Sequence, residues 1–472
     1  MTRTLLRGAQ VITLAAGRPD WEPAAILIED DLILDVGTNL PDHDAEVIDV
    51  TGRIIHPGLV NAHLHTWQTG LRSVGADWTL AEYLTNIHGT LAHAYRPEDM
   101  RIAALVGALG QLDGGTTTIG DWCHNNPTPA HTDAAIDGLI DAGIRTVFLH
   151  GAPYTKLAAD STRELDRILD GPGRQHRLLT IGMAIRGPQL SPASRAIADL
   201  RAATERGIIA SMHQTGGTMK PAWDRVHEAG LFGPSVNLVH GAGLTDDWVR
   251  TLIDLGVTFT STPENELGQG HSDPIALRLL RHGAAPSLGT DTDSVVSGDM
   301  RVAARMTLAF QRGARHNTHR AESGIFSPVN AATSRHALEW ATFHGAQALG
   351  LASRIGRLEP GMQADLVIID PRTVALWPAH DPIATALAAH PAAIEAVLVA
   401  GEWRKRAGAL THLGLPQSLH TLQESGHRIL EELTSPALFA RARRHVVAQV
   451  AGHRVRTELA ITPEMAPHPG HA

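Results

Sequence analysis

The sequence predicts an α/β protein: a (β/α)8 TIM barrel with a small composite β-sandwich domain formed by both chain ends. Between residues 56 and 350, eight short apolar runs alternate with helical patterns, as expected for parallel strands that are each followed by a helix. Strand-like runs also flank this region on both sides. No Gly-rich nucleotide-binding motif follows an early strand, so an open doubly wound sheet is the less favoured alternative.

The β domain is predicted from runs rich in Ile, Val and Leu that are separated by Gly, Asp, Asn and Pro, a pattern typical of strands and turns. These runs lie at 3–14, 25–28, 31–36, 47–49, 364–370 and 394–400. We therefore expect residues 1–55 and 351–410 to form the two parts of one β-sandwich. The segment 56–350 between them is the expected catalytic barrel.

Apolar runs that end in small or polar residues mark the strands of the barrel. They lie at 57–63, 116–121, 145–149, 178–185, 207–212, 236–239, 257–261 and 286–290. Helical patterns between them lie at 97–112, 131–142, 192–205, 245–254 and 274–282. Residues 411–472 are expected to form a helical C-terminal tail, with the clearest helical pattern over 417–450.

Composition excludes several classes of protein. The chain has 472 residues and a formal net charge of −9, without a basic block, which argues against partners such as nucleic acids or anionic membranes. Cys123 is the single cysteine, so an intrachain disulfide and a Cys-rich zinc finger are both excluded. No apolar run reaches the roughly 18 residues of a membrane span, and we expect a cytoplasmic enzyme with a small-molecule substrate.

Histidine is unusually frequent, with 28 residues against 3 tyrosines, and it is the commonest metal ligand in proteins. Active sites of (β/α)8 enzymes lie at the carboxyl ends of the strands. Chemically capable residues stand at those predicted ends: His63, His65, Asp121, His124, His150, His213, His240, Glu264 and Asp291. The regular placement favours one site over scattered surface histidines.

The pair His63 and His65 carries the metal prediction, because residues i and i+2 of a strand point the same way. Together with His213 and Asp291 they offer imidazole and carboxylate ligands, which suit Zn²⁺ best and Co²⁺, Fe²⁺ or Mn²⁺ as alternatives. A metal with an open position would activate water, and a carboxylate could take the proton.

Several motifs in combination resemble the amidohydrolase superfamily, in the branch of cytosine deaminase, triazine hydrolase and guanine deaminase. They are HPGLVNAHLH, the isolated His213 and His240, GTD at 289–291 and GRLEPGMQADLVIID at 356–370. The resemblance covers about residues 1–410. It implies a barrel with a composite β-sandwich, and family members commonly assemble as homodimers or homotetramers.

The resemblance also implies roles for single residues. One divalent metal would be held by His63, His65, His213 and Asp291, with Asp291 also serving as general base. His240 would polarise or orient the bound substrate and hydroxide. The predicted fourth strand has no lysine to bridge a second metal, so a mononuclear site is expected.

One departure from the family pattern bears on the reaction. Deaminases of this branch usually carry H-x-x-E after the fifth strand, and the glutamate protonates a ring nitrogen during attack. Here the segment is His213-Gln-Thr-Gly216, and glycine cannot transfer a proton. Glu264 or Glu266, after the seventh strand, could replace it, and Glu264 is the predicted catalytic residue. His271 and Asp273 are weaker candidates.

Large side chains after the first two strands are expected to bind the substrate. They are Trp67, Gln68, Trp78, Tyr83, Trp122 and His124. Aromatic residues are only 4% of the chain, so their concentration here favours a flat or apolar ligand. The alternative is that most of them pack the loop onto the barrel.

The sequence therefore favours a mononuclear metal-dependent hydrolase that uses metal-activated hydroxide. The missing glutamate favours cleavage of a C–N or C–S bond beside an exocyclic carbonyl, in a carbamate, thiocarbamate, urea or amide, because such attack needs little acid assistance. A deaminase or dechlorinase of a pyrimidine, purine or s-triazine is the alternative. A non-enzymatic metal-binding assembly protein is disfavoured, because all four ligand positions are filled.

Overall fold

The computed structural model describes residues 2–42, 44–153, 161–217 and 219–434, with isolated positions between 442 and 449. Its strands are β1 (Arg3–Val11), β2 (Glu22–Glu29), β3 (Leu32–Gly37), β4 (Glu46–Asp49), β5 (Ile54–Pro57), β6 (Leu59–Leu64), β7 (Thr116–Cys123), β8 (Arg145–His150), β9 (Leu179–Ile185), β10 (Ala210–His213), β11 (Val236–Val239), β12 (Thr258–Ser261), β13 (Ser287–Leu288), β14 (Leu366–Ile369), β15 (Ile394–Val399), β16 (Glu402–Arg406) and β17 (Ala409–Leu410).

The α-helices of the same residues lie mainly between the strands of the barrel. They are α1 (Leu80–Tyr83), α2 (Pro97–Asp113), α3 (Pro129–Ala142), α4 (Ser161–Asp170), α5 (Pro172–Gln175), α6 (Gly187–Leu190), α7 (Ala193–Glu205), α8 (Ala222–Glu228), α9 (Asp246–Asp254), α10 (Pro263–Gln269), α11 (Ala276–Arg281), α12 (Met300–Ser323), α13 (Ser334–Trp340), α14 (Phe343–Ala348), α15 (Pro382–Ala388) and α16 (Leu415–Thr434). Short helical turns lie at Thr66–Leu71, Leu84–His88, Leu91–Ala94 and Pro391–Ala393.

Strands β6 to β13 form a parallel sheet in sequence order, and a bridge between Leu64 and Asp291 joins its two ends. Most of its strands are buried at every residue, because one face of such a sheet fills the barrel and the other is covered by helices. The predicted (β/α)8 barrel is confirmed. Each of the eight predicted strands overlaps an observed one.

The eighth strand is only two residues long, because the chain turns immediately to meet the first. A Cβ atom at Gly289 would lie 2.6 Å from the carbonyl oxygen of His63, so only glycine allows this approach. The backbone nitrogen of Asp291 then donates to the same oxygen over 3.0 Å. This closure brings Asp291 beside the end of β6.

The second sheet combines both chain ends, as predicted. It has the order β17-β16-β15-β14-β5-β1-β2-β3, and β4 pairs with β1. The pairs of β1 with β4 and β5 are parallel and the others are antiparallel, so the sheet is mixed. Strand β5 leads through Gly58 directly into barrel strand β6, so a single residue connects the two sheets at this point.

A buried ion cluster joins the second sheet to the amino-terminal end of the barrel. Arg145, at the start of β8, donates two hydrogen bonds of 2.9 and 2.8 Å to Asp365 and one of 2.9 Å to Gln363. The side chains of Arg145 and Asp365 are each only 2% exposed. We call Arg145, Gln363 and Asp365 the interdomain ion cluster.

The C-terminal helix α16 packs on α2 and on the turn Thr66–Leu71 beside the barrel mouth. Ser425 donates to Asp99 over 2.6 Å. Helix α16 lies within the segment 411–472 that was expected to form a helical tail, and most of that segment beyond residue 434 lies outside the described residues. Within the described ranges, no helix is long and apolar enough to cross a membrane.

Candidate metal centre and active site

Four predicted ligands meet at the carboxyl ends of the barrel strands. His63 lies in β6, His65 directly follows it, and their rings lie 4.9 Å apart. His213 ends β10, and its ring lies 4.8 Å from that of His63. Asp291 follows β13, where a left-handed φ of 62° turns it back toward the histidines. Strain of this kind concentrates at functional sites.

Three distances between the ligand atoms match those expected around one metal ion. Asp291 Oδ1 lies 3.4 Å from Nε2 of His63 and 3.3 Å from Nε2 of His65, and the Nε2 atoms of His63 and His213 are 3.2 Å apart. A tetrahedral zinc site with bonds of about 2.0–2.1 Å has ligand-to-ligand edges of roughly 3.3–3.4 Å. Three imidazoles and one carboxylate are also a donor set that Zn²⁺ prefers, so these residues fit one divalent ion.

The electrostatics keep the ligands in their metal-binding forms. Burial lowers the pKa of His63 to about 4 and the pKa of His213 well below its usual value, so both imidazoles are neutral at pH 7. Burial alone would raise the pKa of Asp291, but the neighbouring imidazoles of His63 and His65 hold it well below its ordinary range. Neutral imidazoles and an ionised carboxylate are the forms that bind a metal.

Neighbouring groups orient two of the ligands. His65 Nδ1 lies 2.6 Å from the carbonyl oxygen of Trp122, which fixes the ring so that Nε2 faces Asp291. The side-chain amide of Asn265 donates to the second oxygen of Asp291. In the part of the chain that the structure describes, the buried Nδ1 atoms of His63 and His213 have no hydrogen-bond partner.

His240 lies beside this cluster and is oriented by Glu266. It follows β11 in a left-handed conformation with φ of 65°, and its Nε2 lies 3.8 Å from Asp291. Its Nδ1 lies 3.3 Å from Glu266, which also accepts hydrogen bonds of 2.8 Å from Ser261 and from the backbone of Thr262. Burial raises the pKa of Glu266 to about 7, despite these hydrogen bonds.

Glu264, the predicted catalytic glutamate, faces elsewhere. It is half-buried and accepts hydrogen bonds of 2.7 and 3.3 Å from the side chain and backbone of Ser297. Residues two apart on helix α10 point in different directions, so Glu266 reaches His240 while Glu264 caps a loop. The structure therefore places Glu266 in the site and leaves Glu264 at its edge.

Comparison with known proteins identifies the family. The model of the amidohydrolase family matches residues 54–404, which is most of the chain. The chain belongs to the amidohydrolase family. Helix α10 and the ligand-bearing strands all lie within the matched region.

The relatives of this amidohydrolase include deaminases and a triazine-acting enzyme. The 5-methylthioadenosine/S-adenosylhomocysteine deaminase of Symbiobacterium thermophilum is 26% identical over 405 residues, covering 81% of this chain and 88% of that protein. Among solved structures, a zinc-bound adenosine deaminase from Xanthomonas campestris has a TM-score of 0.78 at 21% identity, covering 91% of this chain and 98% of that one.

Atrazine chlorohydrolase from Arthrobacter aurescens, in complex with zinc, has a TM-score of 0.76 at 22% identity, covering 90% of this chain and 100% of that one. The fold is therefore that of the amidohydrolase family, and the geometry of the predicted ligands fits the expected divalent metal.

The predicted substrate-binding residues of this amidohydrolase differ in how they are used. Gln68 is fully buried, and its amide contacts Tyr83, Thr292 and Ser294 over 2.7, 2.6 and 2.7 Å. It links the loops after the first and eighth strands. Trp78 is half-buried and stacks against the turn at Gly75.

Trp67, Trp122 and His124 lie in a buried aromatic group next to the metal ligands. The ring of Trp122 is 4.3 Å from His213 and 5.6 Å from His65. The ring of His124 is 4.9 Å from His65, and Trp67 packs 5.6 Å from His124. These residues form the wall that supports the histidines, and their direct contact with a substrate stays a prediction.

Sequence reasoning missed three residues of the site: His88, Asn265 and Gln269. His88 lies on the helical turn Leu84–His88 with its Nδ1 3.4 Å from Nε2 of His124, and no strand end pointed to it. Helix α10 carries Asn265, which lies between the two glutamates, and Gln269, which lies two residues before His271. For Asn265 and Gln269, the polar segment TPENELGQGH is the signal that could have indicated a role in the site.

Proposed function

We propose that this amidohydrolase removes an exocyclic amino group or comparable leaving group from a small N-heterocycle by zinc-dependent hydrolysis. The observation that carries the proposal is the convergence of His63, His65, His213 and Asp291, with His240 only 3.8 Å from Asp291. Relatives named as deaminases, similar over more than four-fifths of the chain, favour the heterocycle alternative over the carbamate, thiocarbamate, urea and amide substrates.

The residues of the site divide the chemistry among them. When bound by its four ligands, a divalent ion would supply Lewis acidity and activate water for attack. Asp291, which stays ionised, can accept the proton of the attacking water. His240, oriented through Nδ1 by Glu266, presents its Nε2 toward the same region and can stabilise charge that develops on the substrate.

A second candidate rests on Gly216. Because position 216 carries no carboxyl group, a substrate that needs no ring protonation would suit the site. Carbamates, thiocarbamates, ureas and amides meet this condition, since attack places the charge on an exocyclic oxygen.

The homodimer or homotetramer expected from the family resemblance stays a prediction.

A substrate screen separates these candidates. Adenosine, 5-methylthioadenosine, cytosine, atrazine, a thiocarbamate and a phenylurea are incubated with the zinc-loaded protein and with its Asp291→Asn variant. Release of ammonia or chloride from the heterocycles, absent in the variant, supports the proposal. Release of amine or thiol from the last two compounds alone would favour the second candidate. Turnover of none by the zinc-loaded protein would count against both.

A further inference from the structure

The loop after β12 fills the space next to Gly216. A Cβ atom at Gly216 would lie 2.8 Å from the carbonyl oxygen of His271. The backbone of residue 216 cannot move away easily, because Gln189 donates to the carbonyl oxygens of Thr215 and Gly216 over 2.8 and 3.1 Å. A glutamate at this position would therefore collide with the segment that carries His271. The absence of a glutamate at position 216 is thus linked to the position of His271.

His271 is placed beside the reactive part of the site. It is only 6% exposed, and its ring lies 4.7 Å from that of His240 at an angle of 68°. Its backbone nitrogen donates to the backbone carbonyl oxygen of Glu266 over 2.9 Å, and the preceding Gly270 follows helix α10 with φ of 77°. The backbone of His271 is thus held by the same helix that supplies Glu266 to His240.

His271 and Gln269 leave two polar atoms unused. His271 Nε2 lies 3.3 Å from Gln269 Oε1, while His271 Nδ1 and Gln269 Nε2 have no hydrogen-bond partner among the described residues. Both side chains are more than nine-tenths buried. With the amide in either orientation, a neutral imidazole paired to it leaves one donor and one acceptor unfilled.

We infer that His271 and Gln269 form a subsite that hydrogen-bonds the nitrogen-containing edge of the substrate, on the side of the site where related deaminases carry their glutamate. The inference rests on the proposed function. One donor beside one acceptor complements a ring nitrogen next to an N–H group, the edge that an aminopyrimidine, aminopurine or aminotriazine presents. The subsite binds and orients this edge, and no proton transfer is assigned to it.

Melamine and 1,3,5-triaminobenzene test the subsite, because they differ only in the ring nitrogens. Binding to the zinc-loaded protein is measured by calorimetry, with ammonia release followed in parallel. We expect the wild type to prefer melamine. The His271→Phe and Gln269→Leu variants should each lower melamine affinity at least about fivefold and reduce the preference, with unchanged zinc content. His271→Gln, which restores a donor and an acceptor, should recover part of the affinity.

The exposed His420 provides the matched control, and His420→Phe should bind melamine like the wild type. The inference is overturned if melamine binds but the His271→Phe and Gln269→Leu variants keep both the affinity and the preference. If His271→Phe does not fold, Gln269→Leu and His271→Gln decide the question. Absence of melamine binding by the wild type also overturns the inference. Failure of the proposed function is a separate result, seen as no turnover in the heterocycle screen.

Discussion

The two ends of the barrel each bury charged side chains, but they treat them differently. At the amino-terminal end, Arg145 and Asp365 form a bidentate ion pair, and Gln363 joins it through Arg145 and Asp31. At the carboxyl end, His63 and His65 lie 3.4 and 3.3 Å from Asp291, and His213 lies 3.2 Å from His63. The Nδ1 atoms of His63 and His213 have no partner among the described residues.

This difference indicates that the ion cluster at one end of the barrel has a structural role, whereas the histidines at the other end have a functional one. A buried polar group that lacks a hydrogen bond costs about 1–3 kcal/mol, so a cluster of such groups among potential metal ligands calls for an explanation. No buried polar atom of the interdomain ion cluster lacks a partner among the described residues, which marks this cluster as structural. The unfilled atoms at the carboxyl end, with left-handed backbone at His240 and Asp291, mark it as a site for ligands.

The largest effect should come from removing the carboxylate of the metal centre. Asp291→Asn is expected to lower kcat/KM by about 1,000-fold or more, or roughly 4 kcal/mol, because it removes both a ligand and the proton acceptor. The circular dichroism spectrum should be unchanged. Asp273→Asn, on the exposed part of the loop after β12, is the control and should stay near wild-type activity. Equal activity in both variants would contradict the assignment.

At the opposite end, Arg145→Met should break stability and leave the chemistry intact. Removing Arg145 leaves the carboxylate of Asp365 buried without an ion-pair partner. The expected loss is about 3–5 kcal/mol in the free energy of unfolding, measured with urea. Arg101→Met, which removes an exposed pair with Asp141, should cost about 1 kcal/mol or less. If Arg145→Met abolished turnover while unfolding normally, the division between the two ends would be wrong.

Glu266→Gln sharpens the comparison within the site. Glu266 orients His240 without contacting the metal ligands directly, so kcat should fall about 10- to 100-fold with unchanged zinc content. Glu264→Gln is the matched control, because Glu264 contacts Ser297, and its kcat should stay within about twofold of wild type. The reverse result would restore Glu264 as the catalytic glutamate.

The smallest effect concerns acid stability at the domain junction. Burial, and then the charge of Arg301, lower the pKa of His56 from 6.5 to about 3, and Arg301 donates to its Nε2 over 3.1 Å. Because the pKa of His56 is lower in the folded state, the unfolded chain binds a proton at this residue first as the pH falls. The stability that the neutral His56 supports is therefore complete above pH 6.5 and is lost as the pH falls toward 3.

His56→Gln keeps an acceptor for Arg301 but does not titrate. The acid-unfolding midpoint, followed by circular dichroism, should therefore move to lower pH. His420→Gln, at an exposed position, should leave the midpoint unchanged. An unchanged midpoint in His56→Gln would show that His56 does not contribute to acid sensitivity.

Much of the fold and the ligand set was predictable because both depend on short-range patterns. Apolar runs mark the strands, and residues at strand ends must converge in a closed barrel. His63 and His65 alternate on one strand, so their approach needs no knowledge of the rest of the chain. His213 and Asp291 follow once the strands are counted.

The side chains beyond the ligands could not be assigned in the same way. Glu264 and Glu266 are two residues apart on a helix of seven residues, and only the packing of α10 decides which one meets His240. Gln68 was expected to contact substrate, yet the tertiary contacts with Tyr83 and Thr292 occupy its amide. The approach of His271 to Gly216 joins loops that are 55 positions apart in the chain.

Zinc titration of the metal-stripped protein tests the central claim most directly. After removal of metal by a chelator, activity against the best substrate of the screen should be lost. It should return in proportion to added Zn²⁺ and level off at about one ion per chain, with no recovery in a His213→Ala variant. Full activity of the metal-free protein, or saturation only at about two ions per chain, would contradict a single catalytic metal held by His63, His65, His213 and Asp291.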